Sequence, residues 1–350
     1  MMGTLFDYIK WRGDLEFWQD GFNVTDNLVL SCLSYVPLDK VFEKYGKEVI
    51  DVQDVNNIYF SGLYDETRYK EASILYHAPL ILRSVADTGR YRHVKIRNYV
   101  SRIEPDKTLQ FAAMEFLLPD GSSYVAYRGT DDSIVGWKED FMLALEEVEA
   151  ERQAVAFLNS IASENDRLLR VGGHSKGGHL AIYAAAMCDA EIQERILNVY
   201  SNDGPGFMKK TDVFKAIEDI RPKIINIIPE DSIIGLLMEP VGDPVIVRST
   251  AISVAQHNPA TWCVEGNRLV TAENVSNTAR FISSSVKRNI SRMNNEELNS
   301  FVEDLFSVFE ATGAITLSEH KKSGLKGIKA MSKRAGDIGK KKSIIKHDMV

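Results

Sequence analysis

LLRVGGHSKGGHLAIYAAAM, residues 168–187, decides how the chain is read. An apolar run leads into Gly173-His174-Ser175-Lys176-Gly177, and a stretch rich in Ala and Gly follows. The pentapeptide fits G-x-S-x-G. Its setting between a strand and a helix is what that pattern requires, because the serine must occupy a sharp, strained turn that lifts its Oγ above a sheet. Gly173 and Gly177, two before and two after the serine, keep strand and helix from colliding. Gly172, Gly178 and Ala181 extend the run of small residues that close helix–strand packing needs.

Outward from this segment, short apolar runs alternate with helical stretches. Residues 168–172, 196–200, 223–228 and 244–247 are strand candidates, with helices expected at 177–187 and 212–220. Upstream, residues 110–128 read as a hairpin, two apolar runs flanking Pro119-Asp120-Gly121, and residues 136–164 carry a helical pattern. Residues 26–36, DNLVLSCLSYV, place apolar side chains at helical spacing behind an Asp or Thr cap. After 268–271 the pattern turns helical again, over 274–289 and 295–310. Strands alternating with helices predict an α/β fold with a mainly parallel central sheet flanked by helices, plus extra N- and C-terminal helices. We divide the chain into an N-terminal helical extension packed on the core (1–90), the core (91–315) and a basic, flexible tail (316–350).

The 350 residues are 44% hydrophobic, enough for a sizeable core. The formal charge of −7 is unevenly spread: from Lys321 onward ten Lys/Arg oppose two Asp, a local +8 that leaves −15 for the rest. An acidic body argues against a nucleic-acid-binding globule, whereas the basic tail suits weak contact with anionic lipid surfaces. Cys32, Cys188 and Cys263 are far apart and form no CxxC or Cys/His cluster, so reduced thiols are expected and a metal site is not. The first twenty residues have no apolar h-region, and no run reaches the ~18 apolar residues of a membrane span. These features predict a cytoplasmic protein.

A serine hydroxyl needs a neighbouring base. Of the seven histidines, His77 and His93 precede the serine. His174 adjoins it on a turn where neighbours point apart, and His179 lies one helical turn on, placed to cap or pack. His320 and His347 fall in the tail. His257, in Gln256-His257-Asn258-Pro259, is left as the base. In α/β-hydrolases the acid falls between serine and histidine, at a strand end. Residues 223–228 end in Pro229-Glu230-Asp231, which makes Asp231 the first choice and Glu230 the reserve, with Asp203 at the preceding strand end a weaker candidate. Tyr127-Arg128-Gly129-Thr130 ends another strand and offers a backbone N–H and a hydroxyl. With the backbone N–H of Lys176 these can hold a tetrahedral oxyanion, braced by Arg128, Trp137 and Asp140.

Together YRGTDDSIVGWKED and GGHSKGGHLAIYAA resemble the lipase class 3, fungal-lipase-like α/β-hydrolases. The resemblance is closest to the bacterial Mbeg-like subfamily, a domain of unknown function. It is carried in order by FNVTDNLVLSCLSYV, YVAYRGTDDSIVGWKEDF, GHSKGGHLAIYAA, NDGPGF, PEDSIIGLL and QHNPATW. It implies an α/β-hydrolase fold with Ser175 as nucleophile, Asp231 as acid, His257 as base and Thr130 as oxyanion donor. The expected activity is a cofactor-free serine esterase acting on a small-molecule or lipid carboxylic ester, with lysophospholipids and acylglycerols as candidates. A catalytically silent hydrolase fold that serves as a binding or scaffolding module is the second reading. A phosphate-binding loop is disfavoured, because G-x-x-x-x-G-K-[ST] is absent.

Overall fold

The computed structural model describes residues 2–46, 48–65, 67, 73–104, 109–130, 149–207 and 212–290. Trp137, Asp140, the expected helix at 295–310 and the basic tail lie outside the described residues. One eight-stranded sheet runs in sequence order, β1 (Val49–Asp51), β2 (Lys95–Glu104), β3 (Leu109–Leu117), β4 (Ser123–Tyr127), β5 (Leu169–His174), β6 (Ile196–Asn202), β7 (Ile224–Pro229) and β8 (Val245–Val247). The first four strands pair antiparallel, and β4 to β8 are parallel. The hairpin expected around Pro119-Asp120-Gly121 is the β3–β4 pair, in register from Ala113↔Tyr127 to Leu117↔Ser123, with Gly121 at φ 87° in its turn.

Parallel strands that follow one another in space need crossovers of a single hand, which put every crossover helix on the same face. These helices are α6 (Glu149–Ser163), α7 (Lys176–Met187), α8 (Ala190–Arg195) and α9 (Asp212–Ile220). Leu158, Leu180, Ile192 and Ile217 from the four helices form one buried cluster with Val125, Tyr127, Val171 and Val199 of the sheet. Strand side chains alternate between faces, so Tyr124 and Ala126, the residues flanking Val125, point to the opposite side. There they join a second cluster built from the N-terminal helices α1 (Leu5–Arg12), α2 (Val24–Leu33), α4 (Val52–Phe60) and α5 (Ile74–Ala86). The sequential strand order leaves this face without crossover helices, and the N-terminal segment fills it. Helix α3 (Asp39–Tyr45) flanks this layer, α10 (Asn277–Ile290) follows the sheet, and β9 (Val264–Glu265) and β10 (Arg268–Leu269) form a small separate ribbon. Among the described residues no helix is long and apolar enough to cross a membrane.

Helix α2 begins differently from the expectation of an Asp or Thr cap. Asn23 is the cap, its side chain accepting from Thr25 N and Asp26 N, while Asp26 closes a capping box by accepting from Asn23 N at 2.9 Å. Asp26 is fully buried because it has a second role. Arg90 donates to it from Nε at 2.8 Å and Nη2 at 2.6 Å, and Tyr8 and Tyr91 add their hydroxyls. The remaining guanidinium donors reach the carbonyls of Leu15, Asp20 and Gly21, and the group lies 4.2 Å from the centroid of the Phe17 ring. All five N–H groups of Arg90 are therefore used, the condition under which a buried ion pair is tolerated. Removing one partner strands the other. Arg90→Met is expected to cost about 3–5 kcal/mol of stability, read as a fall in the urea midpoint at unchanged slope. Asp26→Asn combined with Arg90→Met should cost less than the sum of the two single changes.

Candidate active site

Ser175 occupies the turn between β5 and α7 at φ 58°, ψ −131°, a conformation that side chains rarely adopt. The geometry around it accounts for the flanking glycines. A Cβ at Gly173 would lie 2.4 Å from the carbonyl oxygen of Gly177, and one at Gly177 would lie 2.1 Å from the carbonyl oxygen of Tyr127. Strand β4 thus presses against the start of α7. The elbow is tied to the next strand as well, Ser175 N donating to Asn202 O at 3.0 Å.

Beneath the elbow lies a buried polar junction. Asn202, the last residue of β6, donates from Nδ2 to the carbonyl of Gly173 at 3.0 Å and to Ser31 Oγ at 3.0 Å, and it exchanges amide hydrogen bonds with Asn27. Tyr124 OH donates to Asn27 Oδ1 at 2.7 Å and lies 2.8 Å from Ser31 Oγ. Asn27, Ser31 and Tyr35 are spaced by four, so they form one stripe along α2 and its extension, facing the sheet. Tyr35 OH reaches His174 Nδ1 at 2.9 Å.

The carboxylate brought to the histidine is that of Asp203, not Asp231. His257 Nδ1 donates to Asp203 Oδ2 at 2.7 Å. Asp203 is buried in the turn that follows β6, at φ 53°, and its other oxygen accepts from Ser232 Oγ and from Gly235 N at 3.1 Å. The reason is strand order. Neighbouring strands lie about 4.8 Å apart, and β6 adjoins the serine's strand whereas β7, which leads to Asp231, is one strand further out. The Asp231 carboxylate instead accepts from Ser253 N at 2.9 Å and Gln256 Nε2 at 3.2 Å, and Asp231 N donates to Gln256 Oε1. It braces the loop that carries His257. Glu230 contributes its backbone, pairing with Val247 and Ser276. The signal for Asp203 is present in the sequence, since Asn202-Asp203-Gly204-Pro205-Gly206 closes the strand next to the elbow.

His257 is held from several sides. Its carbonyl accepts from His174 Nε2 at 2.7 Å, and the two imidazoles lie 4.5 Å apart. Trp262 Nε1 donates to Gln256 O at 2.8 Å, and Asn258 Nδ2 lies 3.0 Å from His77 Nδ1 on α5. Burial holds His174 well below the ordinary histidine range, with proximity to His257 adding to the effect. Among the described residues no hydrogen bond joins Ser175 Oγ to His257. His179 packs as expected, stacked on Phe207 at 4.0 Å and bonded to Glu151 at 2.9 Å.

Thr130 is buried at the end of the segment after β4, and a Cβ on its neighbour Gly129 would lie 3.1 Å from Ser175 Cβ, so this strand end abuts Ser175. Lys176 is the first residue of α7, so its N–H belongs to the first turn at the helix N-terminus, beside Ser175. Its side chain is buried, with Nζ donating to Gln110 O at 2.9 Å. Among the described residues no group of three or more His, Cys, Asp or Glu could hold a metal ion, and Cys32, Cys188 and Cys263 are buried free thiols.

Among curated proteins none matches this chain. Solved lipase structures match parts of the chain. The crystal structure of M37 lipase matches at 16% identity over 60% of this chain and 68% of that one, with a TM-score of 0.37. The native Rhizomucor miehei lipase propeptide complex matches at 16% identity over 51% and 68%, with a TM-score of 0.33. The fold assignment itself rests on the mainly parallel sheet with its flanking helices and on the strand–serine–helix elbow, which are those of an α/β-hydrolase fold. The Mbeg1-like family matches residues 85–307, more than half of the sequence and all of the elbow, the Asp203 turn and the His257 loop, and the chain belongs to that family.

Proposed function

We propose that this protein is a serine hydrolase that cleaves a carboxylic ester through an acyl-enzyme, with Ser175 as nucleophile, His257 as base and Asp203 as acid. The observation that carries the proposal is the 2.7 Å contact from His257 Nδ1 to the buried Asp203 carboxylate, on the strand beside the strained serine. A carboxylate only accepts, so Nδ1 holds the proton and Nε2 is the basic nitrogen. As an ester seats, Ser175 Oγ closes to hydrogen-bond reach of Nε2, gives up its proton and attacks the carbonyl carbon. Asp203 stabilises the imidazolium without taking the proton. The negative charge on the former carbonyl oxygen is met by the N–H of Lys176 and by Thr130. Collapse expels the alcohol, protonated by His257. Water, deprotonated by the same nitrogen, then releases the acid and restores the serine. Lysophospholipids and acylglycerols remain the candidate substrates, and no step calls for a cofactor.

Fluorophosphonate labelling read by intact mass tests this reading, because only an activated serine reacts. Wild type is expected to gain one adduct, and Ser175→Ala none. Asp203→Asn should slow labelling by on the order of 10⁴-fold, while Asp231→Asn, which loosens a loop brace, should slow it by no more than about tenfold. The reverse ranking would restore Asp231 as the acid. A folded wild type that does not label would favour a binding or scaffolding role. For an ester that the wild type turns over, Thr130→Ala should lower kcat by about 10²–10³-fold with little change in KM. An unchanged kcat would remove Thr130 from the oxyanion site.

A further inference from the structure

We infer that His174 and Tyr35 form a positioning relay that sets the place of His257, so that the N-terminal helical layer takes part in catalysis at one remove. The inference rests on the serine-hydrolase reading above and names two residues that the reaction itself does not use. His174 makes two short contacts, one at each ring nitrogen: Nε2 to the His257 carbonyl at 2.7 Å and Nδ1 to Tyr35 OH at 2.9 Å. A carbonyl oxygen can only accept, so Nε2 carries the ring proton. Nδ1 is then a bare lone pair that accepts from the Tyr35 hydroxyl. Both contacts point the same way, from Tyr35 to His174 to the backbone of His257.

The relay closes a frame around the base. Asp203 fixes the His257 ring at Nδ1, and His174 fixes the same residue at its carbonyl. Both supports originate next to Ser175, because His174 precedes it on β5 and Asn202 O accepts from its N–H. The position of the base is therefore referred to the nucleophile through two short routes. The relay also needs an uncharged His174. A second proton on the ring would face Tyr35 with a donor where an acceptor is required, and would place two cations 4.5 Å apart whenever His257 is protonated in turnover. Burial, which holds His174 neutral, is consistent with this requirement. Tyr35 lies at the end of the Asn27–Ser31–Tyr35 stripe, so the origin of the relay is anchored by the polar junction under the elbow.

Displacement of a catalytic group by about 1 Å costs on the order of 10²-fold in rate, and this sets the expected size of the effect. The test is the second-order rate of fluorophosphonate labelling per folded molecule in wild type, His174→Leu, His174→Gln and Tyr35→Phe. Steady-state kcat and KM on a p-nitrophenyl ester are measured beside it. His174→Leu should label roughly 10- to 100-fold more slowly, with kcat falling and KM held. His174→Gln should recover to within about threefold of wild type, since its amide offers a donor toward the carbonyl and an acceptor toward Tyr35. Tyr35→Phe removes a single hydroxyl and is expected to fold, so it keeps the test decisive should His174→Leu not fold; it should slow labelling about threefold to tenfold. Folded His174→Leu or Tyr35→Phe labelling at the wild-type rate would overturn the relay and leave the triad standing. A Gln variant as slow as Leu would also overturn it, because a role in packing alone predicts that pattern. Failure of wild type itself to label would overturn the relay together with the reading beneath it.

Discussion

The backbone of Ser175 is held where an L-residue is strained, and much of the surrounding structure can be understood as the means of holding it there. A residue at φ 58°, ψ −131° persists only where its surroundings over-determine it, at a cost of about 1–3 kcal/mol. Here the chain on each side of the turn is fixed separately. Before it, β5 is paired on both edges, to β4 and to β6. After it, α7 begins at once and lies so near β4 that Gly177 has no room for a side chain. Neither half can relax the turn without breaking a ladder or a helix. The same arrangement points the serine and the first N–H groups of α7 to the same end of the sheet.

Two layers with different chemistry meet at that turn. The crossover helices cover one face of the sheet with mostly apolar side chains, which is what the sequential parallel order supplies automatically. Among the described residues no crossover helix covers the opposite face. It is covered by a segment that arrives from the N-terminus and is fastened by polar contacts as well as apolar ones. Asp26 and Arg90 lock the layer internally, and Asn27, Ser31 and Tyr35 fasten it to β5 and β6. Apolar surfaces can slide over one another at small cost, whereas buried donors and acceptors must meet their partners or lose about 1–3 kcal/mol each. The polar stripe therefore sets the register of the layer on the sheet, where an apolar stripe would only hold it down.

The parts of this arrangement that are legible in the sequence are those with local causes. The elbow, the hairpin around Gly121 and the alternation of strands with helices follow from residues adjacent in the chain, and each lies within a few positions of its expected bounds. Elimination leaves one histidine because few are available, and His257 is the one that meets a buried carboxylate. The parts that the sequence conceals depend on partners far along the chain. Asp26 suits a helix cap by composition, yet Arg90, 64 positions away, turns it into the centre of a buried network. Asn27 and Ser31 are ordinary helix residues by type, and their role is set by Asn202, more than 170 positions on. Periodicity identifies which face of a helix is buried, but not whether a polar residue on that face has a partner waiting.

The carboxylate that meets His257 shows how a spatial rule separates two residues that the linear rule ranks the other way. Asp203 and Asp231 both end strands, both lie between serine and histidine in the chain, and both contact the histidine loop. What separates them is lateral position in the sheet. Because the parallel strands follow sequence order, the strand next to that of Ser175 is the one that comes next in the chain, and its end delivers Asp203. Burial then adds a chemical distinction. The Asp203 carboxylate is out of water and fixed by Ser232 and Gly235, so it is already oriented toward the His257 ring. Asp231, partly exposed, is engaged by Ser253 and Gln256, and so fixes the path of the loop that brings His257 back over the sheet. The two carboxylates thus act on the same histidine at different levels, Asp203 orienting its ring and Asp231 orienting the chain that carries it.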